Sequence, residues 1–250
     1  MRVFLTLWRR EVTAYFVSPA AYLLMFFFLI LMGLSFGALL NVLEQGPPSS
    51  GIMSLLLGES LYFWLAVLMV VPVITMRQFA EEKRSGTFES LMTAPVGEVM
   101  VVTAKFLGAF TFFMVLWIPT VAYPFLLAHY ASPSVPIDYA EMLVAYAGVG
   151  CMGALLVSIG LLASALTRNQ NVAAMMTFTA LCLLFSLGYL PYYARTPWIQ
   201  EVGRYASAMT HMIDFSRGVL DTRALVYYGS LTGLMLFMTV KAVEARKWNS

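Results

Sequence analysis

Residues 77–95 read Arg77-Gln78-Phe79-Ala80-Glu81-Glu82-Lys83-Arg84-Ser85-Gly86-Thr87-Phe88-Glu89-Ser90-Leu91-Met92-Thr93-Ala94-Pro95. Six charged residues fall between Arg77 and Glu89, the densest cluster in the chain. Arg77 and Glu81 stand at i,i+4, and Glu81 and Arg84 at i,i+3, spacings at which ion pairs stiffen a surface helix. Ser85-Gly86 stops that helix, because glycine accepts the left-handed conformation that ends helices. Thr87 suits the N-cap of a second helix, with Glu89 in its first turn near the positive end. Phe88, Leu91 and Met92 fall at i, i+3 and i+4 and make one apolar patch, and Pro95 ends the helix. Ion pairs and an apolar patch are groups for docking, not for breaking bonds. A connection that only had to turn back needs about 4–6 residues, so two capped helices point to a partner. A helix lying in the lipid headgroups is the alternative.

Other reactive groups are few. Cys151 and Cys182 both lie within apolar stretches, so neither a disulfide framework nor a zinc site is in view. No G-x-x-x-x-G-K-[ST] loop occurs, which excludes nucleotide hydrolysis of that kind in this chain. Six long apolar stretches contain no Asp, Glu, Lys, Arg or His. Ionisable groups inside a membrane mark proton relays, ion sites and voltage sensors, and none is placed for such work. Intramembrane hydrolysis lacks its acid, base or metal ligands in the same way. A passive channel is disfavoured because the stretches offer no polar stripe or charged ring. If the chain moves something uphill, a separate subunit supplies the energy.

The elements that must position the docking segment follow from composition. Of the 250 residues, 60% are apolar and 11% charged, against about 45–50% and about 25% in soluble domains. That leaves too little polar surface for a soluble globule and predicts an integral membrane protein. The net charge of +2, with no basic run, argues against nucleic acid. A span needs about 20 mostly apolar residues, and six stretches qualify: 20–40, 61–76, 106–128, 142–166, 172–194 and 224–240. Each is predicted helical, since an open strand would leave backbone groups unpaired in lipid. The first is too long for a signal-peptide core and is read as a retained anchor.

With the N-terminus inside, Arg2, Arg9, Arg10, Arg77, Lys83, Arg84, Lys105, Arg168, Lys241, Arg246 and Lys247 are cytoplasmic, eleven of the 15 basic residues. Both termini are then cytoplasmic. Ahead of the first span, Phe4, Trp8, Val12 and Phe16 share one side of an amphipathic helix and Arg9, Arg10 and Thr13 another, ended by Ser18-Pro19. Pro72, Pro119 and Pro124 bend their spans. Gly33-x-x-x-Gly37, and a ridge of Gly150, Ala154 and Ser158, are read as packing within the subunit, with a subunit interface as the alternative. Thr167–Asn171 is a tight polar turn. In 191–223, Arg195, Arg204, Arg217 and Arg223 are expected to pair with Asp214, Asp221 and Glu201, and the segment dips into the outer leaflet.

The run Arg77-x-Phe79-Ala80-Glu81-Glu82-Lys83-Arg84-x-Gly86-Thr87-x-Glu89-x-Leu91-x-x-x-Pro95 resembles the cytoplasmic signature of permease subunits of ABC-2 type transporters. The stretch from His211 to Arg223 looks like the gliding-motility permease branch, with nitrous-oxide-reductase-maturation permeases nearby. The resemblance implies one all-α membrane domain over 1–250: an interfacial helix (1–19), six spans, a cytoplasmic coupling helix (77–95) and an outer re-entrant helical segment (191–223). It further implies two ABC ATPase subunits as partners, a second permease forming a homodimer or heterodimer, and a bacterial inner membrane. ATP and Mg would be bound by the partner ATPase, with no cofactor or metal on this chain. In this reading Arg77, Glu81, Glu82, Lys83, Arg84 and Glu89 make polar contacts to the ATPase. Phe79, Phe88, Leu91 and Met92 form the apolar docking face, and Gly86, Thr87 and Pro95 set its shape. Family cargoes range over polysaccharides, lipids, drugs, peptides and metal-centre precursors. A reading from another class is a membrane scaffold or mechanotransmission subunit of a motility or cofactor-maturation complex, without transport.

Overall fold

The computed structural model describes residues 2–46, 50–87, 97–130, 138–193 and 196–247. Six helical segments are long and apolar enough to cross a membrane: Pro19–Glu44, Leu61–Ser85, Glu98–Tyr130, Tyr139–Leu166, Gln170–Tyr189 and Thr222–Ala245. Among the described residues there is no strand. All six expected spans are present.

Helix α1 (Arg2–Val17) stops where Pro19 disfavours helical backbone at Ser18, which is extended, with φ −81° and ψ 124°. Pro19 then opens α2 (Pro19–Glu44) at a position where its missing N–H is no loss. A short π-helical turn, Ser54–Gly58, precedes α3 (Leu61–Thr75). After Thr75 the helix breaks, and it restarts as α4 (Ala80–Ser85), which Gly86 ends at φ +75°. Helix α5 (Glu98–Trp117) runs into a 3-10 turn at Pro119 and continues as α6 (Ala122–Tyr130). Asp138 caps α7 (Tyr139–Leu166), its carboxylate accepting from the backbone of Ala140 at 2.9 Å and of Glu141 at 3.2 Å. Asn169 caps α8 (Gln170–Ser186) in the same manner. Helices α9 (Pro197–Ala206) and α10 (Ala208–Ser216) share Ser207 as their junction, and α11 (Thr222–Lys247) closes the chain.

The second, third and fourth spans form the interior, with 67%, 56% and 67% of their apolar windows buried, against 22% for each of the others. Close approach depends on three glycines of α7. A Cβ on Gly148 would meet the Phe215 ring at 2.5 Å, and those on Gly153 and Gly160 would collide with Phe113 and Thr75. Phe28 and Phe113 pack edge-on against Trp117, and Phe63 meets the same ring at a tilt.

Three expectations need correction. The third span begins at Glu98, earlier than residue 106, because Lys105 is carried inside the helix with its charge paired. The fifth span ends at Tyr189, short of 194, where α8 tightens into a 3-10 turn. Gly33 and Gly37 face open space within this chain, whereas Ser158 of the second small-residue ridge is fully buried.

An ionic joint at one end of the bundle

The end of the bundle that carries α1, α4 and the start of α5 holds four charges drawn from three helices. Lys105 on α5 is only 3% exposed, and its Nζ lies 2.7 Å from Glu82 Oε1 on α4 and 3.2 Å from Glu11 Oε1 on α1. Arg10 completes the set, 3.0 Å from Glu11 Oε1 and 3.9 Å from Glu82 Oε1. Two cations and two carboxylates balance, which is the condition for keeping such groups out of water. The Phe79 ring lies 5.3 Å from the same ammonium.

A second set of contacts fixes α4 to α7. Ser164 Oγ accepts from the backbone N–H of Phe79 at 3.0 Å and of Ala80 at 3.1 Å, and donates to the Met76 carbonyl at 3.1 Å. Helix starts leave N–H groups without an intrahelical partner, and here a serine of another helix supplies the acceptor. Lys83 Nζ donates to the Ala165 carbonyl in the last turn of α7, where a cation also suits the helix dipole.

Helix α1 is held to the same assembly. Trp8 Nε1 donates to Thr111 Oγ1 at 3.3 Å, and Tyr15 stacks on Phe112 at 4.7 Å. The Tyr15 hydroxyl donates to the Ile74 carbonyl at 2.8 Å and accepts from the Gln78 amide. Burial pushes the Tyr15 phenol well above its ordinary pKa, so the proton stays. The arrangement has no nucleophile waiting for a substrate. It makes α1, α4, α5 and α7 into one mechanical unit.

Residues expected to meet a partner differ in where they lie. Arg77 is exposed, and Glu81 and Arg84 form the expected exposed pair at 3.5 Å. Glu82 and Lys83 are instead engaged by this chain's own Lys105 and Ala165. Arg77 forms no ion pair with Glu81 among the described residues, because α4 starts only at Ala80. Phe79 is 0% exposed, packed with Val102, Leu161 and Val243, so it belongs to the interior and not to a docking face. Gly86 adopts the left-handed conformation expected of it. Thr87 Oγ1 lies 2.9 Å from Ser85 Oγ and 3.4 Å from the Glu82 carbonyl. Phe88, Glu89, Leu91, Met92 and Pro95 lie outside the described residues.

Sequence reasoning missed Glu11, Tyr15, Lys105 and Ser164. Glu11 is the one acid in α1 and Lys105 the one cation in α5. That isolation was the available signal.

At the opposite end α10 packs on the π-helical turn, and a Cβ on Gly58 would lie 2.8 Å from Ser216 Oγ. Arg217 pairs with Glu59 at 3.7 Å, and Asp221 accepts from the Arg223 backbone at 2.8 Å. The expected pairing of arginines with Asp214, Asp221 and Glu201 is therefore absent among the described residues. His211 is 8% exposed between Tyr227 and Tyr228, and its Nδ1 has no partner. Burial lowers its pKa, with Asp214 and Asp221 opposing.

The family described as ABC-2 type transporter matches residues 2–220 of the chain. No curated protein matches it.

Proposed function

This chain belongs to the ABC-2 type transporter family, and from that premise we propose that it is the permease subunit of an exporter driven by a separate ATPase. It is an integral membrane protein with six apolar helices. In this reading the joined end faces the cytoplasm of a bacterial inner membrane, where eleven of the 15 basic residues then lie. Two ATPase subunits, which bind ATP and Mg, seat against the 77–95 segment. A second permease pairs along the open faces of the outer spans, where Gly33 and Gly37 allow close approach. On the resemblance of the stretch from His211 to Arg223 we read the chain as one of the gliding-motility branch, with α9 and α10 closing the outer end of the path.

The mechanism follows from the joint. Closure of the ATPases pushes α4, and α4 cannot move without Lys105 on α5, Glu11 on α1 and Ser164 on α7. The push re-angles the second, third and fourth spans together, and Pro72 and Pro119 are the points where bending is cheapest. The family match carries this reading; the connection of α4 to three other helices supports it.

Purification of the native complex in mild detergent tests it. An ATPase is expected to accompany the permease, and Glu89→Lys is expected to abolish stimulated ATP turnover without affecting membrane insertion. A permease that purifies with no ATPase, or wild-type turnover in the variant, would overturn the proposal.

A further inference from the structure

A cavity of about 830 Å³ opens between α1, the first turns of α2 and the end of α3. That is the size of a small-molecule site, of the order of 300–1,000 Å³. About half of its lining residues are polar, and they are sorted by depth. The lining runs from Ser18 to Leu24 on α2, from Lys105 to Phe112 on α5, and from Arg77 back to Val73 at the end of α3. In each case the polar residue stands at the end of the bundle and the apolar one further into the span. Leu24 and Phe112 lie about 9 Å and about 10 Å deeper than Ser18 and Lys105 along their helices. The cavity is therefore polar at headgroup depth and apolar toward the acyl region.

The lining carries three cations, Arg10, Arg77 and Lys105, and three carboxylates, Glu11, Glu81 and Glu82. Most of them are engaged. Lys105 and Arg10 meet Glu11 and Glu82, and Glu81 pairs with Arg84, which stands outside the lining. Arg77 is exposed and has no ion pair among the described residues, so one positive charge stands unmatched. Arg10 spends only Nη2 on its two carboxylates, and its side chain is 55% exposed. The start of α2 adds donors beside them. Ser18 makes no side-chain cap hydrogen bond, and the Ala20 N–H in the first turn has no acceptor among the described residues. Such N–H groups, at the positive end of a helix, favour an anion. Gln78 Oε1 and Glu82 Oε2 also lack partners, but they have no open surface and meet no occupant. The open groups without partners are donors.

We infer that this cavity binds an anionic phospholipid of net charge −1. Its phosphodiester meets Arg77, the free nitrogens of Arg10 and the first turn of α2. An acyl chain runs inward along Leu24 and Val73, the latter 39% exposed. Basic pockets between membrane spans hold head groups of this kind. A zwitterionic lipid offers the same phosphodiester, but its ammonium leaves the positive charge of the site unmatched. A free phosphate ester has nothing to set against the apolar part. The inference stands on the membrane placement alone and not on the ATPase partnership.

The test uses the full chain, purified in detergent and stripped of lipid, at one fixed ionic strength. Its melting midpoint is measured with phosphatidylglycerol, phosphatidylcholine or phosphatidylethanolamine of identical chains, and with soluble glycerophosphoglycerol. Phosphatidylglycerol is expected to raise the midpoint by about 3 °C more than the other three. Arg77→Gln, at an exposed position, is expected to remove that increment, and so is Val73→Trp, which fills the apolar part. Arg9→Gln takes an exposed charge from α1 outside the cavity and is expected to keep it. Equal increments from the three lipids, an equal increment from the soluble head group, or an increment that survives Arg77→Gln or Val73→Trp would overturn the inference. So would an equal loss in Arg9→Gln and Arg77→Gln, which is the mark of diffuse attraction to the whole basic end of the bundle. If Val73→Trp does not fold, Arg77→Gln and Arg9→Gln decide together.

Discussion

At the joined end of the bundle, side chains far apart in sequence hold the helices: Glu11 with Lys105, Lys105 with Glu82, and Ser164 with the backbone of Phe79. At the opposite end α10 reaches α7 and the π-helical turn by close packing, with Phe215 against Gly148 and Ser216 against Gly58. The only ion pair there among the described residues is Arg217 with Glu59, 53% and 34% exposed. Both ends bury polar groups, but only one depends on them. A joint built on paired charges is stiff and intolerant of losing a member. A joint built on shape tolerates charge changes and fails when a methyl group is added. Within the proposed mechanism the stiff joint sits where a push would arrive.

The largest expected effect breaks the comparison at its ionic side. Lys105→Met removes the buried cation and leaves Glu11 and Glu82 sharing only the half-exposed Arg10, which costs about 3 kcal/mol. The melting midpoint is expected to fall by roughly 6–12 °C. Adding Glu11→Gln and Glu82→Gln to the same chain is expected to restore most of the loss. A Lys105→Met protein as stable as wild type would show that the network is incidental.

Next comes the packed side. Gly148→Ala places a Cβ 2.5 Å from the Phe215 ring, an overpacking worth about 1–3 kcal/mol. Phe215→Leu in the same chain is expected to recover part of it by opening space. Thermal unfolding of both variants checks this. If Gly148→Ala were silent while Glu59→Gln were severe, the assignment of mechanisms to the two ends would be reversed.

The spans were legible because length and apolarity alone decide them. The joint was not. Glu11 and Lys105 are 94 positions apart, and no local spacing relates them. Lys105 read as a boundary charge, because a lysine inside a span is expensive unless its partners arrive from elsewhere. Phe79 was misread for a different reason. Its outward placement came from the resemblance, but the chain turns through Met76–Phe79 and restarts as a helix at Ala80, and the ring is buried at that turn. The small-residue pattern misled in a similar way. Gly33 and Gly37 have the regular spacing yet meet nothing in this chain, while the glycines that admit close neighbours, Gly148, Gly153 and Gly160, follow no fixed period. Close approach is decided by what lies opposite, which one helix does not encode.

A smaller effect sharpens the contrast through pH. His211 is held neutral by burial, its pKa lowered against the pull of Asp214 and Asp221. The folded protein therefore binds its proton less readily than the unfolded chain does. Its contribution to stability is complete above the usual histidine pKa of about 6.5 and is lost as pH falls below it. Melting midpoints measured from pH 7.5 down to 5.5 are expected to decline. The slope is expected to be shallower in His211→Gln, and an unchanged slope would exclude this histidine as the cause.

The smallest effect concerns Glu59 and Arg217. Both are substantially exposed at 3.7 Å, and such pairs contribute about 0–1 kcal/mol, screened further by salt. Glu59→Gln is expected to shift the melting midpoint by no more than about 2 °C, and by less at high ionic strength. The same neutral substitution at Glu82 removes one partner of a lysine that is 3% exposed, so its cost is expected to be several times greater and nearly independent of salt. Measuring the two variants side by side at low and high salt isolates burial as the variable. Equal losses with equal salt dependence would mean that the two ends do not differ in the way their geometry implies.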